Sequence, residues 1–121
     1  MDIAKFIRSF CFAFDGLKLS VTVDQNVRFH LVVGFLVFII SFFLKVPTAE
    51  LLFVIFAIFF VVICEMLNTA IEEMTNLIKI EHSKEARIAK DIAAAAVLLS
   101  ALFAVVVGVI VLVPRLLSLF A

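Results

Sequence analysis

The sequence predicts an all-α integral membrane protein: an N-terminal amphipathic surface helix and three transmembrane helices in a single membrane domain, residues 1–121. Three observations predict it. Apolar residues make up 66% of the chain, against about 45–50% in soluble domains, and mean hydropathy is +1.32. A small domain folded in water leaves a large share of its surface wet, so no soluble core of this size could bury so much apolar material. The apolar residues also gather in three uncharged runs, with most basic residues on one side of them.

Residues 1–24 form the expected surface helix. Ile3, Phe6, Ile7, Phe10, Phe14 and Leu17 recur at helical spacing and make one apolar face. Asp2, Lys5, Arg8, Ser9 and Asp15 take the other side. Beside membrane spans, such a helix lies flat in the interface, and Gly16 is a point where it would bend. Lys5 and Arg8 precede no apolar core of signal-peptide type, so no cleavage is expected.

The first span is expected over 27–46, its centre from Leu31 to Leu44 carrying no charge. Lys45, Pro47 and Thr48 then make a tight turn, with Thr48 as N-cap. The second span, over 49–80, is apolar from Leu51 through Cys64 and continues as a cytoplasmic extension that is polar on one side. The third covers 86–114 and ends at Pro114. The first two apolar runs fall short of the roughly 20 residues that cross a bilayer, which puts their flanks among the headgroups.

Charge placement orients the chain. Lys5, Arg8, Lys18 and Arg28 precede the first span, and Lys79, Lys84, Arg87 and Lys90 separate the second from the third. Only Lys45 and Arg115 remain for the opposite side. The positive-inside bias puts the N-terminus in the cytoplasm and the C-terminus outside. Ten basic and ten acidic residues balance to zero, so no nucleic-acid partner is expected. Cys11 and Cys64 stand alone, without the spacing of a disulfide framework or a zinc site.

Chemistry is concentrated on the second span. At about 100° per residue, Glu65, Asn68, Glu72 and Asn76 fall in one stripe. Glu65 and Glu72 stand about 10.5 Å apart along the axis, too far to share one metal ion. An ionised group at membrane depth costs roughly 3 kcal/mol or more and is a functional candidate by default. Glu73, off the stripe, reads as solvated. Asp24 and Arg28 have the spacing of an ordinary helical ion pair. Lys90 and Asp91 open the third span, followed by the small residues Ala93–Ala96, which admit close helix approach. Asp24, Glu65–Glu72 and Lys90–Asp91 thus share about one membrane depth.

Carboxylates and a lysine at an interface suit metal-assisted phosphoryl transfer, which needs a divalent cation on the phosphates and a base at the accepting hydroxyl. The chain has no Walker loop, so a kinase is one option among several. A small oligomeric transporter with Glu65 and Glu72 lining a pore is a rival, opposed by the absence of a polar path across Leu51–Cys64. An inert scaffold leaves the interfacial acids unexplained.

Two motifs add a resemblance. E-M-L-N-T-A-I-E (Glu65–Glu72) and A-K-D-I-A-A-A-A-V (Ala89–Val97) resemble the signature of the prokaryotic diacylglycerol kinase family, over nearly the whole chain. R-F-H (Arg28–His30) resembles the branch from Gram-positive bacteria whose members phosphorylate undecaprenol. The resemblance implies a domain-swapped homotrimer with shared active sites in the bacterial cytoplasmic membrane. There it would move the γ-phosphate of ATP, with Mg²⁺, to a membrane lipid hydroxyl: that of undecaprenol or, alternatively, of diacylglycerol. It further implies Glu65 as general base, Asp24 and Glu72 as holders of the Mg²⁺ that accompanies ATP, and Asn68 as support for Glu65. Lys90 would contact the nucleotide phosphates, with Asp91 beside it in the nucleotide site, Glu81, His82 and Ser83 the nucleoside end, and Lys5 and Phe12 would approach ATP from the surface helix. The chain departs from the family pattern with Asp24 in place of Glu, Asn76 in place of Asp and Phe12 in place of Tyr.

Overall fold

A computed structural model describes residues 1–78 and 83–121. Within them the chain forms α1 (Ile3–Val23), α2 (Gln25–Phe43), α3 (Thr48–Asn76) and α4 (Lys84–Ser118). The last three are long and apolar enough to cross a membrane, which makes the architecture the all-helical membrane fold that composition and periodicity predict. The expectations for Lys79, Glu81 and His82 lie outside the described residues.

Asp2 starts α1, its carboxylate accepting from the Ala4 and Lys5 amides at 3.1 and 3.3 Å, two donors that a helix start otherwise leaves unpaired. The helix runs through Gly16 to Val23; glycine weakens a helix by under about 1 kcal/mol, too little to stop one. Ile3, Phe6, Ile7, Phe10, Phe14 and Leu17 are all exposed, as a face turned toward lipid must be.

The turn after α2 is built from backbone bonds. The Lys45 amide donates to Phe42 O and the Val46 amide to Ser41 O, both at 3.1 Å, the paired bonds of a Schellman ending. That ending needs a left-handed residue, and Lys45 supplies it at φ 55°. Pro47, extended at ψ 151°, then occupies the N-cap of α3, and Thr48 is the first helical residue rather than the cap. Proline's fixed φ launches the helix without a side-chain acceptor.

α3 packs chiefly on α4. Its buried residues include Val54, Val61, Asn68 and Thr75, and those of α4 include Ala86, Ala93, Ser100 and Val107. Each set repeats every seven residues, the period of a coiled-coil seam. Alanine and serine on the α4 side let the backbones approach, the usual route to helix association where lipid removes the hydrophobic drive. Of the stretch Ala93–Ala96, only Ala93 is buried in this seam. At the end away from the loop, Val46, Val54, Ala57, Val107, Val111 and Leu112 form the apolar core.

α2 joins through Gly34. A Cβ there would lie 2.6 Å from Ile58 Cγ2, so only glycine lets α2 come this near α3. Pro114 does not end α4, which continues to Ser118. The carbonyl that proline leaves unbonded is tolerated in membrane helices when neighbours compensate. The carbonyl concerned is Ile110 O; the Arg115 guanidinium turns back to the next one, Val111 O, at 2.7 Å and reaches Glu50 in the first turn of α3 at 2.5 Å, tying the two helix ends together.

Candidate active site

Asp24 is the corner between α1 and α2. Its amide donates to Ser20 O at 3.1 Å and closes α1; its Oδ1 accepts from the Asn26 amide at 2.8 Å and caps α2. Its Oδ2 accepts from the Thr69 hydroxyl of α3. One residue, through its amide and its carboxylate, therefore ties the surface helix, the first span and the second span at one point. The expected Asp24–Arg28 ion pair is not made. Arg28 instead donates from Nη1 to Val21 O at 2.7 Å and Thr22 O at 2.9 Å. The last carbonyls of α1 have no helical donors and carry the negative end of its dipole, so they compete well for a guanidinium.

On α3, Glu65 is 3% exposed and Asn68 8%, which is costly for a carboxylate unless function retains it. Glu65 Oε1 lies 3.6 Å from His30 Nε2 on α2. Asn68 Nδ2 donates to Glu72 Oε1 at 3.3 Å, and Thr69 also reaches Glu65 O at 3.0 Å. Asp24, Glu65, Asn68 and Glu72 are thus gathered at one end of the bundle. Asn76, at the end of α3, is exposed and stands apart, and Glu73 is exposed as expected.

The remaining expected residues stand elsewhere in the chain. Lys90 is half-buried and Asp91 exposed, and neither bonds to Asp24, Glu65 or Glu72. Lys5 and Phe12 are exposed on α1. Ser83 is the N-cap of α4, its Oγ accepting from the Ala86 amide at 3.1 Å.

His30 and Thr69 are the two site residues that the sequence reading did not single out. Each had a signal: His30 is the only ionisable residue between Arg28 and Lys45, and Thr69 lies one helical turn beyond Glu65.

Two buried oxygens, Glu65 Oε2 and Asn68 Oδ1, have no hydrogen-bond partner. The carboxylates of Asp24 and Glu72, with Asn68 beside Glu72, offer oxygen donors, the kind that hard divalent cations take. Among the described residues no cluster of three or more acids, histidines or cysteines forms a ready metal cage. Mg²⁺ is commonly held by one or two carboxylates, with substrate phosphates supplying further oxygens. From His30, a mainly apolar cleft of about 260 Å³ runs between the spans past Gly34, Ala57 and Gly108 to Leu112.

Comparison with known proteins agrees with this architecture. The family model described as prokaryotic diacylglycerol kinase matches residues 11–112. The chain is 30% identical over 115 residues to the undecaprenol kinase of Bacillus subtilis (strain 168), covering 95% of this chain and 94% of that protein. It is 37% identical over 112 residues to a diacylglycerol kinase of Synechocystis sp., covering 92% of this chain and 64% of that longer protein. With an acidic cluster, Glu65 buried within it, at one end of three apolar spans and a family match over most of its length, the chain belongs to the prokaryotic diacylglycerol kinase family and is a membrane lipid kinase.

Proposed function

We propose that the protein phosphorylates undecaprenol at the cytoplasmic face of the bacterial cytoplasmic membrane, using ATP and Mg²⁺. The observation that carries this is Glu65: a carboxylate 3% exposed, with one oxygen unpartnered, inside an apolar helix. α3 has 29 residues, about 43 Å, against a hydrocarbon core of about 30 Å. Measured from Thr48, the core ends near Asn68, so Glu65 stands just inside the hydrocarbon rim. A lipid alcohol meets a phosphate donor from the water at that depth.

In the proposed reaction Glu65 Oε2 takes the proton of the lipid hydroxyl. The hydroxyl oxygen bonds to the γ-phosphorus, and the bond from that phosphorus to the β–γ bridging oxygen breaks. ADP leaves with the electron pair, and the proton passes from Glu65 to water. Asp24 and Glu72 would hold the Mg²⁺, which neutralises charge on the phosphates when bound. Asn68 fixes Glu72 through its amide. Asp24 is oriented by Thr69 and by the α2 amide, and needs little reorganisation to bind a cation.

Lys90 is proposed to meet the ATP phosphates, with Asp91 beside it in the nucleotide site, and Lys5, Phe12, Glu81, His82 and Ser83 the rest of the nucleotide. None of Lys5, Lys90 and Asp91 bonds to Asp24, Glu65 or Glu72 within the chain, in keeping with a homotrimer whose sites combine residues of neighbouring subunits. Only 17–22% of each span's most apolar stretch is buried within the chain, leaving ample surface for both lipid and partner subunits. The eight basic residues flanking the acid-bearing end support a cytoplasmic N-terminus and an external C-terminus.

Undecaprenol is preferred because the similarity to the undecaprenol kinase extends over 94% of that protein and the R-F-H motif points the same way. Diacylglycerol is the alternative, favoured by the higher identity to the Synechocystis protein. The test offers labelled ATP to the purified protein with both lipids together in mixed micelles. The proposal predicts label chiefly in undecaprenyl phosphate; label chiefly in phosphatidic acid would transfer the assignment to diacylglycerol, and label in neither would reject both.

A further inference from the structure

His30 is the one ionisable side chain of α2 beyond its first turn, and its side chain is only 22% exposed. Space filling at this point would be met by any apolar residue. The imidazole instead sets Nε2 3.6 Å from Glu65 Oε1, an ion-pair separation just outside direct hydrogen-bond length. Phe29 packs edge-on against the ring, centroids 5.5 Å apart at 75°, limiting its rotation. The two oxygens of Glu65 are consequently unlike: Oε1 faces the imidazole, while Oε2 is buried without a partner.

A terminal carboxylate rotates easily, its last torsion being broad and two-fold. A base that must meet a hydroxyl within about 3 Å gains from a group that fixes its plane. His30 also lines the mouth of the apolar cleft that runs to Leu112, so it sits between the base and the space where an apolar chain could lie.

We propose that His30 is a positioning residue for Glu65: its Nε2–H draws onto Oε1 and turns Oε2 toward the lipid hydroxyl. The inference rests on the reading of Glu65 as the base. His30 takes no proton from the substrate; it acts only through the carboxylate. Contacts of this orienting kind shorten as the substrate complex forms, so 3.6 Å in the free chain is compatible with the role.

Two variants separate positioning from filling. His30→Leu removes the donor, whereas His30→Gln retains a side-chain N–H. Turnover in His30→Leu should fall by about 10- to 100-fold, with KM for ATP and for lipid changed by no more than about twofold. His30→Gln should recover at least about fivefold over His30→Leu. Wild-type turnover in His30→Leu, or equal failure of both variants, would overturn the proposal.

A second measurement needs no activity. The chain has two histidines, so His82→Gln, used only for assignment, identifies the His30 imidazole ¹⁵N signals in micelles. Glu65→Gln should shift the Nε2 signal, and an unmoved signal would overturn the proposal. A shifted signal in a protein that phosphorylates neither lipid would instead place the fault with the functional reading.

Discussion

The Thr69 hydroxyl on α3 donates to the carboxylate of Asp24, 45 residues earlier in the chain. Asp24 holds the Asn26 amide with its other oxygen, so this one contact joins the start of the first span to the acid-bearing part of the second. A hydrogen bond to a charged group contributes about 1.5–3 kcal/mol. Thr69→Val keeps the shape and removes the donor. It should lower stability in micelles by about that amount and raise the Mg²⁺ concentration needed for half-maximal activity. Thr69→Ser should retain both. A Thr69→Val protein with wild-type stability and Mg²⁺ titration would show that the contact has no energetic role.

Arg28 acts on α1, not on Asp24. In Arg28→Met the Val21 and Thr22 carbonyls lose their side-chain donor, and the last turn of α1 should fray. Backbone amides near Val23 and Asp24 should exchange with solvent about tenfold faster, corresponding to roughly 1.4 kcal/mol for a lost charged hydrogen bond. Exchange in α4 should not change. Unaltered exchange at the end of α1 would contradict the capping role.

Gly34 sets the spacing of α2 and α3. Gly34→Ala places a carbon 2.6 Å from Ile58 Cγ2, and overpacking of this kind costs about 1–3 kcal/mol. Adding Ile58→Ala should recover part of that loss, because the two changes share one contact. A double-mutant cycle of unfolding in micelles measures it. Strict additivity would mean that α2 and α3 do not meet as described.

Shared sites predict complementation. Glu65→Gln and Lys90→Ala, each inactive alone, should yield partial phosphate transfer when co-expressed, because mixed trimers contain some sites with both residues intact. Mixed trimers that form and remain inactive would remove the composite site.

What could be read from the sequence was local. The three spans follow from uncharged runs, and the face shared by Glu65, Asn68 and Glu72 follows from helical periodicity alone. Asp24 was legible as an interfacial acid, but its partner Thr69 was not, because no periodic rule connects residues so far apart. The same holds for His30 and Glu65, which different helices bring together. Arg28 was misread for a related reason: spacing suggests Asp24, while the unpaired carbonyls of α1 appear only once that helix has an end. Pro114 was read as a stop because its ring opposes a helix, yet α4 continues to Ser118, where Arg115 holds the helix end to Glu50 of α3.

The central claim is that one buried carboxylate does the proton chemistry, and Glu65→Gln tests it most directly. The variant keeps the size of the side chain and leaves the α3–α4 seam unchanged. With helix content and trimer formation matched to wild type, transfer of labelled γ-phosphate into extractable lipid should fall by about 10²- to 10⁴-fold, the usual loss with a general base. A folded Glu65→Gln protein that still phosphorylates lipid at near the wild-type rate would contradict the account.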